Sequence, residues 1–121
     1  MSKNKRLAID IYKWCKKNNL WGDNTIYFDN KAWSSSPTWD LDAGKKIKED
    51  LYEYENKKST DYFEYGNDKT LSMSFEGPLY HVLNGYVGGW VKRESELMEL
   101  FEKYGYYFEY GHAWNLSAYE L

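Results

Sequence analysis

The chain has 121 residues, of which 20% are aromatic and 29% are charged, and its formal net charge is −3. This length is typical of one domain, so we expect a single domain over residues 1–121. No apolar run reaches 18 residues, and charged residues interrupt the stretch behind the N-terminus (7–17), so it is not a signal-peptide core; both observations argue against a membrane-spanning helix and export. A single cysteine allows no internal disulfide and fits a reducing compartment, so we expect a cytoplasmic protein.

Charge is distributed unevenly along the chain. Residues 1–60 hold twelve Lys and Arg against nine Asp and Glu, whereas residues 61–121 hold four against ten. This asymmetry permits a basic or an acidic contact surface. The overall acidity disfavours a general nucleic-acid binder, which usually carries a basic stripe on a basic domain.

The first half of the chain predicts a helix followed by a hairpin. Apolar residues recur at three- and four-residue steps over 5–18, which predicts an amphipathic helix. Residues 25–28 predict a strand, and residues 31–34 predict its partner across a turn at Asp29 and Asn30. Residues 35–44 are typical of an irregular loop. Residues 46–55 fit either a helix or a strand, and we favour a strand over 50–55.

The second half predicts a strand, two helices and a final hairpin. Ser59 or Thr60 caps a short helical turn over 61–65, and the alternation in 70–75 predicts a strand. Gly77 and Pro78 open a helix whose apolar face includes Tyr86, and a third helix is expected over 94–104. Residues 106–110 and 114–119 predict a hairpin. The expected fold is α+β, with a mainly antiparallel sheet of four to six strands covered by two or three helices.

Motifs for known catalytic or metal chemistry are missing from the sequence. His81, His112 and Cys15 lie far apart and show no zinc-ligand spacing, so we expect no metal and no cofactor. Cys15 lies on the inward face of the first predicted helix, which favours a small core residue over a nucleophile. No phosphate-binding or nucleophile-elbow motif occurs, so no catalytic residue is assigned.

Acidic and aromatic side chains are the remaining candidates for a binding site. Glu76 lies between a strand and a helix, and Glu109 lies in the final hairpin near His112. A pair of carboxylates could support glycosidic hydrolysis if their separation were suitable. Aromatic residues occupy both faces of the final hairpin, and one face could stack on a sugar, a base or a protein. The candidate binding residues are Trp33, Tyr80, Tyr107, Tyr110, Trp114, Tyr119, Glu76 and Glu109.

Two stretches carry a resemblance to a known group of proteins. Residues 70–80 (TLSMSFEGPLY) and 103–119 (KYGYYFEYGHAWNLSAY) resemble segments of small accessory proteins of phages and conjugative elements in low-GC Gram-positive bacteria. The resemblance covers about a quarter of the chain. It implies a mobile-element setting with host-interaction or anti-defence roles, and it implies no site residue.

Three functions remain as hypotheses. The leading one is a small, acidic, cytosolic, non-enzymatic protein-interaction domain that presents exposed rings beside acids of the last third. The second is a small-molecule or carbohydrate binder or hydrolase, with a cleft lined by Trp33, Tyr80, Tyr110 and Trp114. The third is nucleic-acid contact through the basic first helix, where the contact residues would be Arg6, Lys13, Lys16 and Lys17.

Overall fold

The structure is a computed structural model that describes residues 1–39 and 42–121. The helices are α1 (Lys3–Lys17), α2 (Pro78–Leu83) and α3 (Trp90–Glu102), with a 3₁₀ turn at Ser59–Asp61. The strands are β1 (Asn24–Phe28), β2 (Lys31–Ser34), β3 (Thr38–Trp39), β4 (Asp42–Ala43), β5 (Lys45–Lys48), β6 (Leu51–Glu55), β7 (Leu71–Phe75), β8 (Tyr106–Tyr110) and β9 (Asn115–Glu120).

Seven of these strands form one antiparallel sheet, in the order β5-β6-β2-β1-β7-β9-β8. The β1–β2 hairpin lies in the middle and turns at Asp29 and Asn30, which both have positive φ angles as predicted. The expected α+β architecture is confirmed. The sheet has one strand more than the upper limit predicted, because residues 45–48, ahead of the strand favoured at 50–55, pair with β6 as a separate strand.

The main core lies between the sheet and the helices. Strand β7 directs Leu71, Met73 and Phe75 toward this core, as the alternation predicted. Helix α1 packs against β1, and α3 packs against β8. Cys15 on α1 is fully buried, and its burial raises the pKa of the thiol to about 12. Burying the apolar face of each helix is the main stabilising term in such a layer.

The opposite face of the sheet is covered by the segment between β6 and β7. Tyr27, Tyr54 and Phe63 form a small second core there, next to Ala32. Farther along this face, the Ser72 and Ser117 hydroxyls are 2.7 Å apart and buried. Serines that alternate with apolar residues in a strand usually face solvent. The Ser72 and Ser117 hydroxyls can be buried here because they are hydrogen-bonded.

Several predicted boundaries are wrong. Two short strands, β3 and β4, form where an irregular loop was predicted at 35–44, although residues 40 and 41 lie outside the described residues. The helical turn predicted over 61–65 lies at Ser59–Asp61 instead. The Ser59 and Thr60 hydroxyls do not cap it, since both bind the Asp68 carboxylate.

Helix α3 begins at Trp90, four residues before the predicted start. Its first turn therefore contains no acid, and Glu94 and Glu96 lie beyond it. No helix within the described ranges is long and apolar enough to cross a membrane.

Candidate functional site: an aromatic strip

A strip of aromatic rings runs across one end of the molecule, from the segment before β7 to the start of α3. Tyr65 lies 5.7 Å from His112, and His112 stacks on Trp114 at 5.5 Å with nearly parallel rings. Tyr80 of α2 stacks on Tyr86 at 5.9 Å. We define the aromatic strip as Tyr65, His112, Trp114, Tyr80, Tyr86 and Trp90.

The turn after α2 determines where Tyr86 lies. Gly85 adopts φ +77°, its amide donates to the Val82 carbonyl, and the Tyr86 amide donates to the His81 carbonyl at 2.9 Å. These two bonds form a Schellman motif, which ends a helix and folds the following residue back onto the last turn. Tyr86 therefore lies over Tyr80 outside the helix, and its predicted place on an inward helix face is wrong, since it is 69% exposed.

Glycine also positions Trp90. Gly89 precedes α3 with φ +93°, a left-handed conformation that glycine adopts without steric cost. The Trp90 indole then lies near Gly85, where an added Cβ would be 4.0 Å from its Cδ1 atom. Trp90 is 46% exposed, and the neighbouring Val87 and Val91 are also exposed. This turn therefore exposes a group of large apolar side chains to solvent.

A side-chain amide joins the two halves of the strip, which are Tyr65, His112 and Trp114 on one side and Tyr80, Tyr86 and Trp90 on the other. Asn84 Nδ2 donates to the Tyr80 carbonyl and to the Ala113 carbonyl, both at 3.0 Å. This links the end of α2 to the β8–β9 turn that carries His112 and Trp114. The neighbouring Tyr86 side chain raises the pKa of Tyr80, so the Tyr80 phenol stays neutral at physiological pH.

An open cavity of about 230 Å³ lies between the halves of the strip, and it is lined by Glu76, Tyr80 and Trp114. These three predicted residues are therefore brought together. Glu76 also borders a neighbouring polar recess of about 290 Å³, whose lining includes Thr25, Ser34 and Ser74.

The other predicted site residues lie elsewhere. Trp33 is buried on the helix side of β2, where its Nε1 donates to Glu53 at 2.9 Å. Tyr107 and Tyr119 lie on the opposite face of the sheet, half-buried and 5.9 Å apart. The predicted cleft containing both Trp33 and Tyr110 does not form.

Tyr110 is 41% exposed and its hydroxyl donates to Glu94 at 2.7 Å. Desolvation and this hydrogen bond raise the pKa of Tyr110. Its ring lies 5.6 Å from Phe108, which connects it to the core below α3. Tyr110 therefore extends the exposed aromatic surface toward α3 without joining the cavity.

Glu76 and Glu109 are not arranged as a catalytic pair. Glu109 pairs with Ser117, which pairs with Ser72, so Glu109 lies two strands away and four residues along from Glu76. Strand spacing puts their Cα atoms about 16 Å apart. Glycosidases hold their two carboxyl groups about 5 to 10 Å apart in one cleft, whereas Glu109 lines neither of the cavities that Glu76 borders. No group of three or more His, Cys, Asp or Glu side chains in residues 1–39 and 42–121 is placed to hold a metal ion.

Tyr86 and Trp90 were missed as site residues. The signal that could have found them is a set of large apolar residues, Tyr86, Val87, Trp90 and Val91, interleaved with Gly85, Gly88 and Gly89. A glycine-rich connection runs over the surface, so apolar side chains within it are exposed.

No family model, no curated protein and no solved structure matches the chain. The resemblance to mobile-element accessory proteins therefore stays an expectation, and the geometry described above is the basis for any functional proposal.

Proposed function

We propose that this chain is a non-enzymatic protein-interaction domain that binds a partner protein through the aromatic strip. The observation that supports it is the group of exposed rings around Tyr86 and Trp90, held by a Schellman turn and a left-handed glycine. Tyr and Trp are enriched among residues that dominate binding energy, because they bury much area with few rotatable bonds. An exposed apolar group rimmed by polar residues is typical of an interaction site.

The surroundings of the strip support a protein partner over a nucleic acid. Glu76 lies in the cavity, Glu94 lies beside Tyr110, and the last third of the chain is acidic. A nucleic-acid surface would need cations next to the stacking rings. The expected mobile-element setting makes a host defence protein one partner class, and this part of the proposal rests on the resemblance alone.

The test compares capture by three tagged forms of the protein in a lysate of a low-GC Gram-positive bacterium. The wild type and Tyr107→Ser/Tyr119→Ser, which changes the paired rings of β8 and β9 outside the strip, should retain the same stoichiometric partner. Tyr86→Ser/Trp90→Ser should lose it by at least about tenfold, since two hot-spot rings contribute more than about 1.4 kcal/mol together. Mass spectrometry identifies the partner, and circular dichroism checks that all three forms are folded.

Two results would contradict the proposal. One is equal capture by the wild type and the strip variant. The other is loss only in the Tyr107/Tyr119 variant, which would assign the interaction to those two rings instead of the strip.

A second candidate function is favoured by the cavity between Glu76, Tyr80 and Trp114. A carboxylate facing two aromatic side chains is a common arrangement for holding a sugar ring, because the rings stack on C–H groups and the acid accepts hydroxyl hydrogen bonds. A thermal-shift screen of mono- and disaccharides tests this binding. A shift seen in the wild type and lost in Glu76→Gln supports a carbohydrate binder, and no shift with any sugar removes this candidate.

A further inference from the structure

The helical layer does not cover the whole sheet. Seven strands at about 4.8 Å spacing span about 29 Å, and the three helices pack over β1, β7 and β8, so about 10 Å of sheet beyond α1 is left without a helix. Helix α3 packs over β8 and α1 over β1, at the centre of the sheet. The uncovered part of the sheet therefore lies at the β5 edge, on the side of α1 that faces away from α3.

A groove lies in this gap, between α1 and β5. Its volume is about 640 Å³, larger than the cavities near the aromatic strip. Two lysines of α1 and three of β5 line it, against a single carboxylate, Glu53. We define the lysine groove by these cations: Lys5, Lys13, Lys45, Lys46 and Lys48.

The carboxylate in the groove is already occupied. Glu53 accepts from Trp33 Nε1 and lies 3.7 Å from Lys31, and although burial opposes ionisation, these partners hold its pKa below the ordinary value. Lys5, Lys13 and Lys45 make no ion pair with any residue in the described part of the chain. Lys46 pairs with the exposed Glu49 at 3.2 Å, so the groove presents net positive charge from its other lysines.

The groove also has apolar walls. Ile9 of α1 and Ile47 of β5 border it, and Ile47 is 41% exposed between lysines. The nearest aromatic rings, Tyr12 and Trp33, are only 7% and 5% exposed, so no ring is open for a base to stack on. Proteins that bind single-stranded nucleic acid without sequence preference rely on such stacking.

We propose that the lysine groove binds an acidic amphipathic helix of a partner protein. The gap is one helix wide, its exposed aliphatic side chains fit an apolar stripe, and its lysines fit carboxylates on both sides of that stripe. This inference goes beyond the proposed function, because the groove lies on the opposite flank from the aromatic strip and shares no residue with it.

Edge protection accounts for only part of this arrangement. Lysines on an edge strand such as β5 hinder unwanted pairing with other sheets. Lys5 and Lys13 belong to α1, however, and lie on the other wall of the groove, where they protect no strand. Cations on both walls indicate a ligand between them.

The test measures fluorescence anisotropy of a labelled synthetic peptide rich in Glu, with Leu at positions i, i+3, i+4 and i+7. A peptide of the same composition with scrambled order is the sequence control. We expect the amphipathic peptide to bind the intact protein in the micromolar range, and the scrambled one about tenfold more weakly. Raising the salt concentration from about 0.1 to about 1 M should weaken binding, since it shortens the Debye length from about 10 to about 3 Å.

Matched variants test the location of binding. Lys13→Glu/Lys45→Glu changes the groove, and Lys69→Glu/Lys92→Glu makes the same change in net charge at exposed positions outside it. We expect about tenfold weaker binding for the groove pair and less than about twofold change for the control pair. Ile47→Ser should weaken the amphipathic peptide but leave an oligoglutamate peptide unaffected.

Several outcomes overturn the proposal. No saturable binding up to about 1 mM peptide removes it. If the groove pair and the control pair weaken binding equally, the peptide responds to the overall charge of the protein and not to the groove. If oligothymidylate binds more tightly than the peptide, the groove is a nucleic-acid site. Concentration-dependent self-association that the groove pair abolishes assigns it to a second copy of this chain. Each of these results is independent of the capture experiment with the aromatic strip.

Discussion

The lysine groove and the aromatic strip lie on opposite flanks of the fold and differ in their chemistry. The groove presents cations around a few aliphatic side chains, whereas the strip presents rings on a glycine-rich turn. Contacts to the first should therefore depend on salt, and contacts to the second should depend mainly on buried area. The difference shows that one small fold can separate an electrostatic surface from a hydrophobic one.

The two surfaces also differ in how they are supported. The groove wall is held by polar contacts from the β5–β6 turn, because Asp50 Oδ1 accepts from the Tyr12 hydroxyl at 2.7 Å and its other oxygen pairs with Lys16. The Asp50 carbonyl accepts from Trp21 Nε1 at 2.7 Å. The strip is held by backbone conformation and by the core under α3.

The largest effect is expected from Phe101→Ala in that core. Phe101 is fully buried and packs edge-to-face on Phe108 at 5.1 Å. Its truncation should lower the free energy of unfolding by about 3–5 kcal/mol, from lost burial and a residual cavity. Urea denaturation followed by far-UV circular dichroism and by tryptophan fluorescence measures this. Because the two flanks share this core, we expect one transition with both probes. Two separate transitions would contradict this expectation.

A smaller effect is expected from Asp50→Asn, which weakens the support of the groove. Burial raises the pKa of Asp50, but hydrogen bonds from Lys16 and Tyr12 outweigh it, so the folded pKa lies below the unfolded one. The ionised carboxylate therefore stabilises the fold at neutral pH by about 1.5 kcal/mol, the low end for hydrogen bonds to a charged group, because the Lys16–Asp50 pair is partly exposed and screened by solvent.

The pH dependence of this effect has a definite sign. Stability from Asp50 is fully present above the unfolded pKa of about 3.9 and is lost as the pH falls through the lower folded value. The difference between wild type and variant in urea midpoint should thus be constant from neutral pH to about pH 5 and shrink in stronger acid. A difference that grows on acidification would contradict the assigned ionised state.

The smallest effect is expected from Gly85→Ala, which tests the turn below the strip. The added Cβ meets only Trp90 Cδ1, at ordinary van der Waals distance, so the cost comes from the positive φ and should be about 1 kcal/mol. Gly88→Ala is the matched control, because its φ is not positive and nothing lies within 4 Å of its Cβ. Thermal denaturation should separate the two variants, and equal melting temperatures would refute a conformational role for Gly85.

Much of the fold could be predicted from periodicity and turn chemistry. Helix α1, the β1–β2 hairpin, β7 and the final hairpin carry regular patterns with clear turn residues between them. The start of α3 was missed because its first turn exposes Trp90 and Val91, so it lacks the inward periodicity on which a helix prediction depends. Strand β5 was missed because all four of its residues are exposed at a sheet edge.

The candidate site was predictable only where local pattern determines exposure. Glu76 and Tyr80 flank the start of α2 in sequence, and the β7–β9 pairing, which no local pattern reveals, brings Trp114 beside them. The unequal charge of the two halves permitted a basic or an acidic surface, but the five lysines of the groove come from two segments that meet only in the fold. Which rings are exposed depends likewise on tertiary packing.

Burial of the only thiol gives the molecule an internal reporter of its own opening. Cys15 is inaccessible, and its pKa of about 12 leaves almost no thiolate at neutral pH. An alkylating reagent can modify this side chain only after α1 has separated from the sheet. The rate of modification therefore measures the equilibrium between closed and open states, and a bound partner that bridges α1 and β5 would slow it in proportion to its occupancy.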